Sequence, residues 1–188
     1  MLSSRSGADP LDPGPVGFAH RGLHYGPGFS ENSLLAFAAA LELGAGIECD
    51  LRLTADNQIV VFHDSDALRM CGSPLRIAKA AWSELSRLSV GEHPMPTLKS
   101  LLTLVEGRVP LLLEVKVEDD VWRWAAAFKR ELGGYPGPFG VMSFDPRVAR
   151  LRRRMPIYTW TIRTAAERAQ AEVHADALIW EGDGRPRN

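Results

Sequence analysis

Residues 19–64 read AHRGLHYGPGFSENSLLAFAAALELGAGIECDLRLTADNQIVVFHD. This segment contains three short apolar runs, and each run carries ionisable side chains at or near its end: His20 and Arg21, Glu48 and Asp50, and His63 and Asp64. A helical apolar segment separates the first two runs, and a short Asp-Asn turn separates the second from the third. The pattern predicts a strand, a helix and two further strands, with charged groups concentrated at strand ends.

Two carboxylates lie two residues apart on the second predicted strand. Side chains alternate across a strand, so Glu48 and Asp50 face the same side. Neighbouring buried carboxylates repel each other, and a divalent cation relieves both the repulsion and the cost of burial. The run at 110–116 repeats the pattern with Glu114 and Lys116. Because Mg²⁺ and Ca²⁺ prefer oxygen ligands, the sequence predicts a site for one of these ions.

Each of these signals also has a structural explanation. A carboxylate pair on one strand is more often salt-bridged than metal-binding, and a histidine at a strand end is more often structural. The runs are nearly continuous in apolar residues, which is typical of a parallel sheet covered on both faces. Ligands bind at the carboxyl ends of such strands, so four strand ends that carry ionisable groups favour one shared site.

Several short motifs occur in a specific order and spacing. They are His20-Arg21-Gly22, Glu31-Asn32, Glu48-x-Asp50, His63-Asp64, Pro96-Thr97-Leu98, Glu114-x-Lys116, Ser143-Phe144-Asp145 and Trp160-Thr161. As a set they resemble the glycerophosphodiester phosphodiesterase family, over roughly residues 16–187. The resemblance implies an enzyme of lipid metabolism, a phosphoric diester hydrolase that converts glycerophosphodiesters into glycerol 3-phosphate and an alcohol.

The resemblance also implies roles for individual residues. Glu48, Asp50 and Glu114 would hold the divalent cation, Mg²⁺ or Ca²⁺. His20 and His63 would form the acid–base pair, a role that suits imidazole because its pKa lies near neutrality. Substrate-binding residues would be Arg21, Glu31, Lys116 and Trp160.

The segment before the first predicted helix has two interpretations. The resemblance places Glu31 and Asn32 in the site. Alternatively, Asn32 or Ser30 caps a helix over 32–43, and Glu31 favours its N-terminus. That helix is predicted to direct one face inward, through Leu34, Leu35, Ala38 and Leu41.

A second helix is predicted directly after Thr97. Thr97 can cap it, and its inward face is predicted to consist of Leu98, Leu101, Leu102 and Val105.

The predicted fold is an α/β protein, a TIM-type (β/α) barrel shortened by one β/α unit. Residues 1–15 are expected to be a disordered lead-in, and 16–188 a single catalytic domain. Seven strands are predicted, at about 16–19, 46–51, 58–62, 110–115, 139–143, 157–161 and 177–180. The eight-unit family barrel has a further unit where this chain has only 146–155. A short turn predicts a hairpin between the second and third strands, whereas the family resemblance implies a third strand that rejoins the parallel order.

Composition narrows the class of protein. The 22 basic and 23 acidic residues nearly cancel, which argues against a nucleic-acid partner and leaves a small-molecule glycerophosphodiester as the expected one. No apolar run is long enough for a transmembrane segment, and the start lacks the features of a secretory signal, so we expect a cytoplasmic enzyme. Cys49 is predicted to be a buried, reduced thiol that points away from the site. The oligomeric state stays open.

Two other functions fit the same sequence. One is a related phospholipase C-like or D-like phosphodiesterase on a similar barrel. The other is a truncated, catalytically silent barrel that binds metal or a phosphodiester, or acts only as a scaffold, and the missing β/α unit supports it.

Overall fold

The secondary structure follows the predicted alternation of strands and helices. The computed structural model describes residues 11–26, 28–118, 120–145, 158–162 and 177–180. The strands are β1 (Phe18–His20), β2 (Gly46–Leu53), β3 (Ile59–Val61), β4 (Ser89–Val90), β5 (His93–Pro94), β6 (Leu111–Val115), β7 (Phe139–Met142), β8 (Tyr158–Ile162) and β9 (Ala177–Trp180). The helices are α1 (Leu34–Glu42), α2 (Leu68–Cys71), α3 (Trp82–Leu85), α4 (Leu98–Val105) and α5 (Val121–Leu132). Each of the seven predicted strands has a counterpart.

Six strands form one parallel sheet in the order β7-β6-β2-β1-β9-β8, and each pairs with its neighbours in parallel. In the described part of the chain, α1 lies between β1 and β2, α4 lies between β3 and β6, and α5 lies between β6 and β7. This is the sheet of a shortened (β/α) barrel, as predicted. The carboxyl ends of β1, β2 and β6 therefore meet at one end of the barrel, which is where such folds bind ligands.

The third strand does not join the parallel order. β3 pairs with the distal end of β2 in an antiparallel ladder, with Leu51 opposite Val61 and Leu53 opposite Ile59. The hairpin prediction is confirmed, and the expectation that this strand rejoins the parallel order is wrong. A parallel crossover needs a dozen or more residues, and the turn between these strands is far too short to supply one.

The main hydrophobic core lies between the outer face of the sheet and the helices α1, α4 and α5. Alternate residues of β2 and β6 supply one side of this core and are fully or almost fully buried: Ile47, Cys49, Leu51, Leu111, Leu113 and Val115. On α4 the predicted inward residues are all buried, namely Leu98, Leu101, Leu102 and Val105. Thr97 caps this helix by accepting a hydrogen bond from the Ser100 N–H, as expected for its position.

Helix α1 differs from its prediction in both its cap and its buried face. Ser33 is the N-cap, since its hydroxyl accepts a hydrogen bond from the Ala36 N–H. The fully buried residues are Ala36, Phe37 and Ala40, whereas the predicted Leu34 and Leu41 are only partly buried against the core and Leu35 is exposed. Because the helix is apolar on every side, the spacing of its apolar residues could not identify which face is buried. Contact with the sheet and α4 selects the face with small alanines, which allow close approach.

A small second core supports the residues between β3 and α4. It is formed by Val60, Phe62, Ile77, Leu85 and Met95 together with neighbouring apolar side chains. This core holds α2, α3 and the β4–β5 hairpin beside the carboxyl end of the barrel. No helix in the described part of the chain combines the length and apolar character that crossing a bilayer requires.

Candidate active site

Strand register brings four of the predicted site residues onto one face of the sheet, as two neighbouring cross-strand pairs. His20 of β1 lies opposite Glu48 of β2, and Asp50 of β2 lies opposite Glu114 of β6. Paired residues on parallel neighbours point to the same face, so all four side chains face the barrel interior at its carboxyl end. One oxygen from each of the three carboxylates lies within 4.8 Å of the others. The prediction that these carboxylates share a face is confirmed.

Cys49 lies between the two carboxylates in sequence but on the opposite face of β2. Its thiol is free and fully buried in the main core, as predicted. Burial, together with the nearby charge of Glu48, raises the pKa of the thiol well above its usual range. This cysteine therefore packs as a small apolar side chain and takes no part in the site.

The three carboxylates are buried, with exposures of 0% for Glu48, 0% for Asp50 and 3% for Glu114. Two cations partly compensate their charge. Arg21 Nε lies 3.0 Å from Asp50 Oδ2, and Lys116 Nζ lies 3.0 Å from Asp50 Oδ1 and 2.6 Å from Glu114 Oε1. Although burial opposes ionisation, the charges of Arg21 and Lys116 lower the pKa of Asp50. Asp50 is thus the ionised centre of the cluster.

Glu48 and Glu114 behave differently from Asp50. Burial raises the pKa of Glu48 well above its ordinary value, and the neighbouring charge of Asp50 raises it further. Burial also raises the pKa of Glu114, although Lys116 opposes the shift. Glu48 Oε2 accepts a hydrogen bond of 3.0 Å from the Arg21 backbone N–H, while Glu48 Oε1 is a buried oxygen without a hydrogen-bond partner in the described part of the chain.

The cluster fits a hard divalent cation. Three carboxylates face the two cations Arg21 and Lys116, so the formal charge with all three ionised is one negative. A divalent ion would supply the missing partner of Glu48 Oε1 and would leave the site positive toward a phosphate. All the donors are oxygens, as Mg²⁺ and Ca²⁺ prefer. The ligand assignment to Glu48, Asp50 and Glu114 itself stays a prediction.

Asn32 belongs to this cluster and not to the helix cap. Its Nδ2 donates to Asp50 Oδ2 over 2.9 Å, and its Oδ1 accepts from the Asp50 backbone N–H over 3.2 Å. The residue has a positive φ of 56°, which turns the chain just before α1 begins. Asparagine tolerates this conformation better than most residues. The sequence signal was the Glu-Asn pair itself, which allowed either role.

His63 lies at the rim of the site, just beyond β3. Its Nδ1 lies 2.7 Å from Asp64 Oδ1, and its backbone carbonyl accepts a hydrogen bond of 2.8 Å from Arg52 Nε. The ring is partly exposed, whereas His20 is buried and its Nε2 lies 3.9 Å from Glu48 Oε2. The two predicted acid–base residues therefore approach the carboxylates from different depths. The sequence analysis missed Arg52, because an arginine inside a strand gives no local signal of such a contact.

A chain of ion pairs connects Arg21 with the His63 rim. Arg21 Nη1 donates to Glu31 Oε1 over 3.1 Å. Arg69 donates to the same carboxylate and, through Nε, to Asp64 Oδ2 over 2.6 Å. Burial opposes ionisation of Glu31, but Arg69 and Arg21 lower its pKa. Sequence analysis placed Glu31 in the site and gave no role to Arg69, which is brought there by the fold.

An open cleft of about 640 Å³ adjoins the carboxylates on the side of β6 and β7. Its walls include Arg52, Arg76, Glu114, Lys116 and Phe144. Lys116 Nζ lies 5.9 Å from the centre of the Phe144 ring. This cleft is large enough to admit a small organic diester beside the predicted metal site. Trp160 lies within β8, but its side chain is outside the described residues, so its substrate-binding role stays a prediction.

The sequence of this chain matches a known protein family over the region that contains the candidate active site. Residues 20–132, more than half of the chain, match the sequence model of the glycerophosphoryl diester phosphodiesterase family. The chain belongs to this family. The matched range runs from His20 to the end of α5 and includes every predicted site residue except Trp160.

Individual relatives extend the comparison. A glycerophosphodiester phosphodiesterase of Bacillus altitudinis is 30% identical over 116 residues, which cover 57% of this chain and 46% of the relative. A crystal structure from Parabacteroides distasonis, also of a glycerophosphodiester phosphodiesterase, has a TM-score of 0.61 at 26% identity and covers 88% of this chain and 72% of that one.

One structural neighbour was solved with a reaction product. It is a phosphodiesterase of Oleispira antarctica in complex with sn-glycerol-3-phosphate, with a TM-score of 0.64 at 22% identity, covering 87% of this chain and 73% of the neighbour. At that identity the likeness concerns the fold. The chain spans about half the length of the first curated relative. The activity of the full-length relatives therefore applies to this chain only as a proposal.

Proposed function

We propose that this protein hydrolyses glycerophosphodiesters to glycerol 3-phosphate and an alcohol, with a divalent cation held by Glu48, Asp50 and Glu114. The observation that carries the proposal is the cluster that His20, Glu48, Asp50 and Glu114 form on one face of three neighbouring strands. Family membership and the product named in the Oleispira antarctica structure support the choice of substrate class.

The two histidines transfer protons in this scheme. Asp64 is ionised because Arg69 and His63 lower its pKa against the effect of burial, so it accepts the Nδ1 proton of His63. That hydrogen bond fixes the ring tautomer and leaves His63 Nε2 to exchange protons with the substrate. One histidine takes the proton of the attacking water or hydroxyl, and the other protonates the departing alkoxide.

The basic residues bind the phosphate. Lys116 carries three N–H groups, so it can hold Asp50 and Glu114 and still donate to a phosphate oxygen. Arg21 is oriented by Asp50 and Glu31, and its planar fork can present further N–H donors to the same phosphate. Pairing with buried carboxylates fixes both cations before substrate binds, which lowers the entropic cost of orienting them.

A bound Mg²⁺ or Ca²⁺ would act as a Lewis acid toward a phosphoryl oxygen. It would also neutralise the carboxylates that burial otherwise drives toward protonation. Glu48 is the residue most dependent on the cation, because both burial and its neighbour Asp50 raise its pKa.

The test is release of glycerol 3-phosphate from glycerophosphocholine in the presence of Mg²⁺, Ca²⁺ or EDTA. His63→Ala should lose roughly two to four orders of magnitude in kcat, the usual contribution of an acid–base group, with an unchanged circular dichroism spectrum. His93→Ala is the matched control, because His93 lies in the separate β4–β5 hairpin and should leave the rate unchanged.

Three outcomes separate the candidate functions. Metal-dependent turnover that is lost in His63→Ala supports the proposal. Full activity in His63→Ala would contradict the acid–base assignment. A folded wild type that binds metal without turnover would instead favour the catalytically silent domain. We further propose a single catalytic domain from residue 16 onward, and the cytoplasmic location expected from the sequence stays a prediction.

A further inference from the structure

Arg69 lies on the short helix α2, next to the rim of the proposed active site. Its guanidinium forms hydrogen bonds with two carboxylates that belong to different parts of the chain. Nε donates to Asp64 Oδ2 over 2.6 Å, Nη2 donates to Glu31 Oε1 over 2.6 Å, and Nη1 donates to Glu31 Oε2 over 3.3 Å. Arg69 thus bridges the loop after β1 and the end of β3.

Each of these carboxylates also contacts a proposed functional side chain. The second oxygen of Asp64 lies 2.7 Å from His63 Nδ1. Glu31 Oε1 accepts a hydrogen bond of 3.1 Å from Arg21 Nη1. Arg69 therefore contacts the proposed proton-transfer residue His63 through one intervening side chain, Asp64. It contacts the proposed phosphate-binding residue Arg21 through another, Glu31.

The contacts of Arg69 are better suited to orientation than to stability. Its side chain is 50% exposed, and exposed ion pairs contribute little to folding because solvent and salt screen them. The geometry is nevertheless specific, since a planar fork meets both oxygens of Glu31 while Nε meets Asp64. A lysine ammonium could not reproduce this arrangement from a single nitrogen.

We propose that Arg69 is a positioning residue, which orients His63 through Asp64 and Arg21 through Glu31. The kinetic part of this inference rests on the proposed phosphodiesterase function. Without Arg69, Asp64 is free to turn away from the imidazole, and among the described residues Glu31 keeps its hydrogen bond with Arg21 but loses those that orient both of its oxygens. The reacting groups then sample nonproductive orientations, which lowers the rate of the chemical step more than the affinity for substrate.

The first measurement is independent of turnover. Proteins labelled with ¹⁵N-histidine are compared by NMR, with the His63 signals assigned from a His63→Gln spectrum. The wild type should show one His63 tautomer with the proton on Nδ1, and Arg69→Met should show a mixture of tautomers. An unchanged His63 spectrum in Arg69→Met would overturn the proposal.

Arg130→Met is the matched control. Arg130 is on α5, its side chain is 52% exposed, and it pairs with Glu131 over 2.9 Å, so it resembles Arg69 in exposure and pairing but lies outside the site. The His63 spectrum and the activity of this variant should equal those of the wild type. A tautomer mixture here as well would show that loss of any surface arginine produces the effect, and would also overturn the proposal.

The second measurement is steady-state kinetics with glycerophosphocholine. Arg69→Met should lower kcat by tenfold or more, the usual effect of removing a group that orients a functional residue, with KM changed less than threefold. Arg69→Lys should recover only part of the loss. In an Asp64→Asn, Glu31→Gln background, removing Arg69 should have little additional effect, because the residues through which it acts are already altered.

The kinetic results separate positioning from direct binding. A raised KM with unchanged kcat, or a loss that remains complete in the Asp64→Asn, Glu31→Gln background, would show that Arg69 contacts substrate itself and would refute the positioning role. If the wild type does not turn over, the proposed function fails while the NMR comparison still decides whether Arg69 orients His63.

Discussion

Replacing Asn32 by glycine tests how the buried carboxylate cluster is stabilised. Glycine adopts the positive φ of 56° at this position without steric cost, so Asn32→Gly removes the side chain with little backbone strain. Asp50 loses the donor to its Oδ2 and the acceptor for its own N–H, both of which lie in a buried site. Within the part of the chain that the structure describes, these are the hydrogen bonds of the Asn32 side chain.

The expected loss follows from these two hydrogen bonds. A bond to a charged acceptor contributes about 1.5–3 kcal/mol, and one between neutral groups contributes about 0.5–1.5 kcal/mol. The added chain entropy of glycine in the unfolded state costs about 0.4–1 kcal/mol, which relief of the positive φ roughly offsets. The free energy of unfolding should therefore fall by about 2–4.5 kcal/mol in Asn32→Gly. Asn32→Ala should lose about 1 kcal/mol more, because alanine is strained at positive φ.

The assay is urea unfolding followed by tryptophan fluorescence in the presence of EDTA, with the m-value checked to confirm that the denatured state is unchanged. Asn57→Gly is the control, since Asn57 also has a positive φ, of 65°, but within the described ranges its side chain accepts a single hydrogen bond, from the partly buried Arg123 Nε. This variant should lose no more than about 1 kcal/mol. A loss below about 0.5 kcal/mol in Asn32→Gly would refute the argument that Asn32 holds Asp50.

Two further variants test the metal site and the barrel interior. Burial and the charge of Asp50 raise the pKa of Glu48 in the folded protein. The contribution of Glu48 to stability is therefore present below about pH 4.5 and is lost as the pH rises toward the folded pKa. Over that range, the free energy of unfolding of the metal-free protein should fall by up to about 1.4 kcal/mol per pH unit because of this residue. Glu48→Gln should flatten this pH dependence when urea unfolding is measured at several pH values. It should also abolish the rise in Tm that Mg²⁺ or Ca²⁺ is expected to cause in the wild type. If the variant keeps both the pH dependence and the metal-induced rise in Tm, Glu48 is neither the titrating residue nor a metal ligand. Gly46→Ala should lower the free energy of unfolding by about 1–3 kcal/mol, because an added Cβ would lie 2.7 Å from Cδ1 of the Phe18 ring. Gly134→Ala is its control: the added Cβ has no atom within 4 Å, so the free energy of unfolding should change by less than about 0.5 kcal/mol. Equal effects of the two substitutions would refute the packing argument.

Local patterns predicted much of the fold and part of the site. Strand alternation placed Glu48 and Asp50 on one face and Cys49 on the other, and the structure confirms this because alternation is a property of the strand alone. The inward face of α4 was also predicted correctly, since its leucines and valine occupy only one side of the helix.

Where local patterns were ambiguous, the predictions were wrong. Helix α1 is apolar on all sides, so the buried face was set by contact with the sheet and α4 and not by period. The cap was placed at Asn32 or Ser30, although Ser33 has the same capping chemistry and is the residue whose hydroxyl accepts from Ala36. The third strand is a different case: its short turn correctly predicted the antiparallel hairpin, and only the parallel order expected from the family resemblance was wrong.

By itself, the sequence determined which chemical groups the protein offers and on which side of each strand they lie, because backbone geometry repeats over a few residues. Only the tertiary structure decided which of these groups meet. Asn32 reaches Asp50 across 18 residues, and Arg69 reaches Glu31 across 38 residues, through strand register and the packing of the second core. Such contacts depend on the free energy of the whole packed arrangement, and no local pattern specifies them.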